Sequence, residues 1–377
     1  MKHAPRVALA VAGSILALAS FALSETTSSA PVDKEWRIVG GIGGIKREIV
    51  PAGEIVFFGS FVEIEQGRHY KTFFQLDTKT GACTDVASFL ADVEDPQQVR
   101  ISSIQVAPDA KHAILIAKTV PSFGPGSGPP KTTETIYLLE VGKATAKPLE
   151  GYVKMPDGPG NMFATWCGKD SFFIFGVDEQ RKLAKPVQFN TAGKKIGDLC
   201  VYAFLLYISD DQKTVIVLAD PDKLTGPAEV RAMEKTAKLL VLKDGKVVQT
   251  IDALPASSVS NDGKLFACRL RKPPTSQPTT SETETGWSIF SIDGKKVTTI
   301  TELASLIHIS NSGDSLGIKL NPQNIGGGGP LTRWSADGQE KVLLEGVRTA
   351  AVSGETLYYI LSDQEDVMKS VALSKLK

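Results

Sequence analysis

A tight polar turn between two β-prone runs recurs along this chain and limits the folds open to it. Its clearest copy is Ser260–Gly263. Asp and Asn side chains bond back to the main chain in such turns, and Gly adopts positive φ. We find seven copies: Pro51–Glu54, Ala107–Ala110, Cys167–Asp170, Ser209–Gln212, Ser260–Gly263, Ser310–Gly313 and Ser353–Glu355.

A short run rich in β-branched and aromatic residues follows each of these turns. Such runs favour strands over helices. The seven predicted strands are Ile55–Phe61, His112–Lys118, Ser171–Val177, Thr214–Leu218, Leu265–Leu270, Ser315–Leu320 and Thr356–Leu361.

A third strand, a second tight turn and a fourth strand complete each unit except the last. Asp244-Gly245 and Asp293-Gly294 are typical of these second turns. Successive first turns lie about 40 to 60 residues apart, the period of four-stranded propeller blades. We therefore predict an all-β, seven-bladed β-propeller, with six or eight blades as the error range. The run Trp36–Val39 is predicted to supply the missing last strand and to close the ring, which removes exposed sheet edges.

The turn-and-strand pattern is clearest in Val106–Ala117 and Val259–Ala267. It resembles the WD-like repeats of periplasmic TolB-type propellers and the propellers that precede prolyl-oligopeptidase catalytic domains. The resemblance covers the chain from about Trp36 onward and implies a fold, with a structural role for the turn residues Asp109, Asp211, Asp262 and Gly263. The Gly-His and Trp-Asp dipeptides of WD repeats are absent, and no hydrolase domain follows, so the resemblance implies no catalytic activity.

The first residues have the pattern of a secretory signal peptide. Lys2 and Arg6 precede the apolar run Val7–Ala19, and the small residues of Ala22–Ser24 form a cleavage site. We expect a signal peptide at 1–24, a disordered mature N-terminus at 25–35 and a single propeller domain at 36–377. An uncleaved membrane anchor is the alternative. Cleavage predicts a periplasmic or extracellular protein with no membrane span in the mature chain.

Charge in this chain is balanced, with 42 basic and 42 acidic residues. A protein without a large positive excess has little electrostatic affinity for nucleic acid. We therefore expect no nucleic-acid partner, and we expect a monomer whose partner is a protein or a polysaccharide.

The few cysteines and histidines are spread over different predicted blades. Cys83, Cys167, Cys200 and Cys268 are predicted to lie too far apart for disulfides, as reduced and mostly buried thiols. His3 lies in the predicted signal peptide. Of the other three histidines, His69 is predicted in a loop, His112 at the start of a strand and His308 on an inner strand. A metal site needs ligands that converge, so no metal or cofactor site is predicted.

Four predicted loops between second and third strands are much longer than a hairpin needs, and antiparallel order places them on one face. Their alternative interpretation is surface insertion without a binding role. The loops are Thr119–Thr133, Asp220–Ala237, Arg271–Gly286 and Asn321–Thr332, and their candidate binding residues are Phe123, Arg231, Lys235, Arg271, Lys272 and Asn324.

No catalytic motif in the sequence is complete. Arg37–Gly41 matches the activation junction of trypsin-like proteases, but the nucleophile and base motifs are missing. We therefore favour a secreted or periplasmic noncatalytic binding or scaffold propeller that engages a protein or polymer partner through the long-loop face. The alternative is a propeller enzyme, a hydrolase or lyase acting on sugars or lactones at the channel mouth.

Overall fold

The chain forms antiparallel β-sheets in a computed structural model. The model describes residues 32–38, 48–64, 68–90, 93, 99–119, 133–150, 162–177, 181–227, 229–230, 233, 236–271, 286–301, 303–319, 328–364 and 367–376.

Five of the sheets have four strands each, hydrogen-bonded in chain order. Their strands are β2 (Ile49–Ala52), β3 (Ile55–Ile64), β4 (Arg68–Asp77) and β5 (Cys83–Asp85); β6 (Val99–Val106), β7 (His112–Thr119), β8 (Thr133–Glu140) and β9 (Ala146–Pro148); β10 (Met162–Cys167), β11 (Ser171–Gly176), β12 (Val187–Asn190) and β13 (Lys195–Asp198); β14 (Phe204–Ile208), β15 (Thr214–Ala219), β16 (Lys238–Lys243) and β17 (Lys246–Ile251); and β18 (Ala253–Val259), β19 (Leu265–Leu270), β20 (Trp287–Ser291) and β21 (Lys296–Ile300). Short 3-10 helices occupy Val86–Phe89, Pro221–Lys223 and Leu373–Lys375.

The sixth sheet has seven strands. They are β22 (Leu303–Ile309), β23 (Ser315–Lys319), β24 (Gly329–Trp334), β25 (Glu340–Ser353), β26 (Thr356–Leu361), β27 (Val367–Ala372) and β1 (Lys34–Arg37). The first half of β25 pairs with β24 and the second half with β26, and the register shifts after Val347. Divided there, the sheet gives two four-stranded sets that share β25. The strands then form seven four-stranded sets in six sheets. Six and seven both lie within the predicted range of six to eight blades.

The first strands of successive sets contact one another in a closed series, β2, β6, β10, β14, β18, β22, β25 and back to β2. Buried apolar clusters join each sheet to the next, and the last joins Tyr358 and Met368 to Phe58 and Leu76 of the first sheet. This closed ring of antiparallel sheets confirms the predicted all-β propeller fold.

Middle strands are buried on both faces because a neighbouring sheet covers each face. Ala113–Ala117 of β7 is a continuous buried run, the pattern of a strand covered on both sides. Phe57 and Phe58 of β3 face opposite neighbours, and both are fully buried. Burial of each such side chain contributes roughly 1.5–3 kcal/mol.

Strand β1 closes the last set by pairing with β27, as the sequence predicted, but it covers Lys34–Arg37 instead of the predicted run Trp36–Val39, of which Val39 lies outside the described residues. Trp36 stacks on Tyr358 with ring centroids 6.3 Å apart. The Asp33 carboxylate accepts a hydrogen bond from the Ala372 amide, 2.8 Å away, and forms an ion pair with Lys375. The strand begins at Lys34, so the expected disorder up to residue 35 was wrong for its last two residues, whose main chain pairs with β27.

The first turns are held by a repeated set of hydrogen bonds. Asp262 Oδ1 accepts from Ser260 Oγ at 2.8 Å and from the Lys264 amide at 3.1 Å, and Ser260 Oγ accepts from the Leu265 amide at 3.0 Å. Ser209 and Asp211 make the same three bonds in the turn of the preceding sheet: Asp211 Oδ1 accepts two of them, and Ser209 Oγ accepts the third from the Thr214 amide. Asp109 accepts from the Lys111 amide at 3.0 Å.

Other positions differ from the predictions. His69 lies in β4, paired with Glu63, because the β3–β4 hairpin extends beyond the expected end at Phe61. The predicted loop Asn321–Thr332 ends earlier, since β24 begins at Gly329. A side chain at Gly329 would overlap the Lys319 carbonyl oxygen, so only glycine fits this approach.

The structure forms no disulfide among Cys83, Cys167, Cys200 and Cys268, all within its described part, as expected. Only Cys167 and Cys268 are buried, however, and Cys200 is exposed in the link after β13. Burial raises the pKa of the Cys268 thiol to about 12.

Substitution of Gly263 tests the close contact between its turn and the Tyr207 side chain of the preceding sheet. It has φ of +69°, and an added Cβ would lie 2.8 Å from Tyr207 Cζ and nearer still to its hydroxyl. Gly53, at φ +65°, has open space instead. We expect Gly53→Ala to lower the free energy of unfolding by about 1–2 kcal/mol for positive φ alone, and Gly263→Ala to cost about 1–3 kcal/mol more through overpacking.

Equilibrium denaturation in urea measures both losses. In a Tyr207→Phe background the extra cost at Gly263 should shrink, because the nearest atom is gone. Equal losses of unfolding free energy at Gly53 and Gly263 would show that Tyr207 does not restrict the side chain at position 263.

Turn aspartates should make stability depend on pH. A hydrogen bond from Ser209, then one from the Lys213 amide, lowers the pKa of Asp211 below its usual 3.8. Burial raises the pKa of Asp262, but the bonds from Lys264 and Ser260 outweigh it. Carboxyls with lowered pKa stabilise the fold fully above 3.8, and this contribution disappears as pH falls through the lowered values.

We therefore expect Asp211→Asn/Asp262→Asn to lose less stability than wild type between pH 5 and pH 2.5, since Asn keeps an acceptor but does not titrate. Urea midpoints across this range measure the effect. Parallel curves for the two proteins would be inconsistent with these carboxylates as a source of acid sensitivity.

Candidate binding surface

The connections from second to third strands leave the ring on the face opposite the tight turns, called here the loop face. Of the six predicted binding residues, Arg271 lies within the described residues and Phe123, Arg231, Lys235, Lys272 and Asn324 lie outside them. The Arg271 amide donates to the Asp252 carbonyl at 3.1 Å, and its Nε lies 3.7 Å from Asp252 Oδ1. Arg271 is therefore tied to the link between β17 and β18.

The connection between β15 and β16 packs back on the ring. Asp220 is only 7% exposed, and its carboxylate accepts from the Asp222 amide at 3.1 Å and from Thr236 Oγ1 at 2.9 Å. The Met233 and Ala237 amides donate to carbonyls four residues back, the bonding pattern of an α-helical turn. Asp220 is therefore hydrogen-bonded to both ends of the connection.

The connections of two neighbouring sheets join on this face. Lys182, from the connection between β11 and β12, forms an antiparallel main-chain β-bridge with Glu229. The Val230 amide donates to the Arg181 carbonyl at 3.1 Å. Beneath them Leu183 and Met233 share a buried apolar cluster. The described parts of the two connections therefore form one layer.

An exposed aromatic side chain lies beside this layer. Phe163, second residue of the inner strand β10, is 41% exposed. Its ring stacks on Phe175 with centroids 5.7 Å apart and meets Phe204 of the next sheet edge-on at 5.7 Å. Nearby in sequence, Lys185 Nζ lies 5.3 Å from the centre of the Tyr202 ring. We call Phe163, Phe175, Phe204, Tyr202 and Lys185 the aromatic platform.

Sequence reasoning missed the aromatic platform. Among the large hydrophobic residues that the structure describes as exposed, Phe163 is the one aromatic. Strand alternation places Phe163 on the side opposite Met162 and Ala164, but that this side is open depends on the neighbouring sheet, which the local sequence does not show.

Two clefts lie on the opposite face, among the tight turns. One, of about 460 Å³, is lined by His112, Glu140 and Lys143. The other, of about 580 Å³, is lined by His308, Glu355 and Arg333. His112 starts β7 and His308 lies on β22, as expected. In the described ranges no three His, Cys, Asp or Glu side chains are grouped to hold a metal ion. No helix there is long and apolar enough to cross a membrane.

No protein-family model matches the chain, and no curated protein sequence matches it. Solved structures do. The β-propeller domain of the Trilobed protease from Pyrococcus furiosus matches 84% of this chain and 91% of its own at 12% identity, TM-score 0.51. The β-propeller domain of Myceliophteria thermophila Cps50 (Swd1) matches 90% and 99% at 9% identity, TM-score 0.50.

Pyrococcus horikoshii acylaminoacyl peptidase matches 83% of this chain at 13% identity, with a TM-score of 0.50. The match covers 48% of the peptidase, so this chain spans about half its length. At such low identities these similarities show the fold alone. The chain has a β-propeller fold that it shares with domains of enzymes and with Cps50.

Asp220 provides a test of the ordered connection. Asp220→Ala removes the charged acceptor of two part-buried hydrogen bonds, and a hydrogen bond to a charged group contributes about 1.5–3 kcal/mol. We expect amide hydrogen exchange at Met233 and Ala237 to speed up at least about fivefold, with the β7 amides unchanged. Asp222→Ala, an exposed neighbour, is the control. Unchanged exchange at Met233 in Asp220→Ala would mean that this carboxylate does not hold the connection.

Proposed function

We propose that the protein is an exported, noncatalytic binding propeller that engages a protein partner through the loop face. The single observation that carries the proposal is the exposed Phe163 ring, supported by aromatic contacts on two adjoining sheets. Aromatic residues are enriched in protein interfaces and among the residues that dominate binding energy.

The platform is suited to binding because its parts are held before a partner arrives. Phe175 and Phe204 fix the Phe163 ring from two directions, and the joined connections beside it are hydrogen-bonded to each other. A preorganised surface loses less conformational entropy on association. Phe163 and Phe204 lie at the starts of the inner strands β10 and β14, so a partner there would contact two sheets at once.

Phe163→Ser tests this function, with Val248→Ser as the matched control. Val248 is 53% exposed on the outer strand β17, away from the platform. After crosslinking in the native envelope fraction, we expect the Phe163 variant to retain the main wild-type protein partner roughly tenfold less, the usual scale of a central interface residue. The Val248 variant should retain it fully. Both variants should keep the wild-type far-ultraviolet circular dichroism spectrum, with Phe163→Ser about 1–2 kcal/mol less stable because it loses the contacts with Phe175 and Phe204.

Equal partner recovery by the two variants would reject the platform as the interface. A partner that is polysaccharide, or turnover of a lactone or glycoside by the purified protein, would replace the proposal with the alternatives stated above. Export is tested separately: the mature protein should begin near Glu25 and fractionate outside the cytoplasm, as the signal-like residues 1–24 predict.

A further inference from the structure

The larger cleft on the tight-turn face lies between the two sets of strands that share β25. Its volume is about 580 Å³, in the range of small-molecule sites. Leu316, Leu343, Leu373 and Leu376 supply apolar wall, and all four are buried or half-buried. His308, near the end of β22, and Glu355, in the turn after β25, add polar groups. The cleft therefore combines apolar walls with a polar end.

Several polar groups around the cleft already form ion pairs or hydrogen bonds within the protein. Asp314 forms an ion pair with Arg333 and accepts a hydrogen bond from the Ala336 amide at 3.1 Å. Asn311 Oδ1 accepts from the Asp262 amide at 3.1 Å, which links the turns of two sheets. The charges of Arg333 and Asp314 cancel, so neither residue gives the cleft a net charge.

Three other acceptors around the cleft are available to a ligand. The Glu355 carboxylate is exposed in the cleft, and within the described residues it forms no ion pair or hydrogen bond; only its main-chain carbonyl accepts, from the Leu373 amide. Ser315 is 3% exposed, and its buried hydroxyl has no hydrogen-bond partner. Burial lowers the pKa of His308, against a smaller opposing effect of Glu355, so its imidazole is neutral at pH 7 and offers an acceptor nitrogen.

These groups leave the cleft with one net negative charge, several acceptors and apolar walls. An ammonium group has three donors and one positive charge, and it has no acceptor. An alkyl chain attached to it would lie against the leucines and remove apolar surface from water.

We propose that this cleft binds a primary amine carried on an unbranched apolar chain, with the ammonium at Glu355 and the chain against the leucine wall. A free alkylamine and the lysine side chain of a peptide both have this chemistry. The site lies on the face opposite the aromatic platform and is independent of the proposed function.

Calorimetric titration at pH 7.5 with three probes of equal chain length tests the proposal: hexylamine, hexan-1-ol and hexanoate. We expect saturable binding of hexylamine at one site, weaker binding of hexanol and none of hexanoate. A peptide with a single lysine and blocked ends distinguishes the sources: binding as tight as hexylamine indicates a peptide ligand, and weaker binding indicates a free amine.

Two variants distinguish the contribution of the Glu355 carboxylate to binding from that of the leucine wall. Glu355→Gln should weaken hexylamine binding about fivefold, the upper range for an exposed ion pair, and should leave hexanol unchanged. Leu343→Ala should weaken both probes by the same factor. Glu345→Gln, an exposed glutamate on β25 outside the cleft lining, is the control and should change neither.

Equal affinity of hexylamine for wild type and Glu355→Gln would overturn the proposal, as would hexanol binding as tightly as hexylamine. Absence of saturable hexylamine binding would also overturn it. Phe163→Ser should bind hexylamine as wild type does, so loss of the partner and loss of the amine are separate results.

Discussion

Closure of the ring is the constraint on which the rest of the structure depends. Each sheet covers one face of the next, so an open series would leave two sheets with a bare apolar face. Tyr358 and Met368 of the last set cover Phe58 and Leu76 of the first, and β1 pairs with the last edge. The continuous apolar strands, such as Ala113–Ala117, can be buried on both faces because every sheet of the closed series has a neighbour on each side.

Much of the fold is readable from the sequence because it is local. The turn at Ser260–Gly263 needs a side-chain acceptor and a residue at positive φ, and Asp262 and Gly263 supply them within four positions. The predicted strand bounds were wrong where pairing overrides composition: the mostly polar start of β4 pairs with the end of β3, which places His69 in a strand. Gly329 was assigned to a loop because sequence alone does not show the Lys319 carbonyl that it approaches.

The two faces of the ring differ for the same reason. The tight-turn face is specified by short-range hydrogen bonds, whereas the aromatic platform arises where Phe163 and Phe204, from neighbouring sheets, meet. The exposure of Phe163 depends on where the next sheet lies, which no single strand encodes. Likewise the cleft near Glu355 exists only because two sets of strands diverge after sharing β25. Sites of both kinds are properties of the packed ring.

Pairing of β1 with β27 also has a consequence for biosynthesis. Asp33 and Ala372, joined by a hydrogen bond, are 339 residues apart in the chain. At typical elongation rates the ribosome needs roughly 17 to 70 s to make the intervening segment. Throughout that interval the earliest strand has no partner, and Trp36 and Ile38 have no apolar neighbours from the last set. Lys34, Glu35 and Arg37 alternate charges around Trp36, which suits a strand that must stay in water until the final contact of very high sequence separation can form.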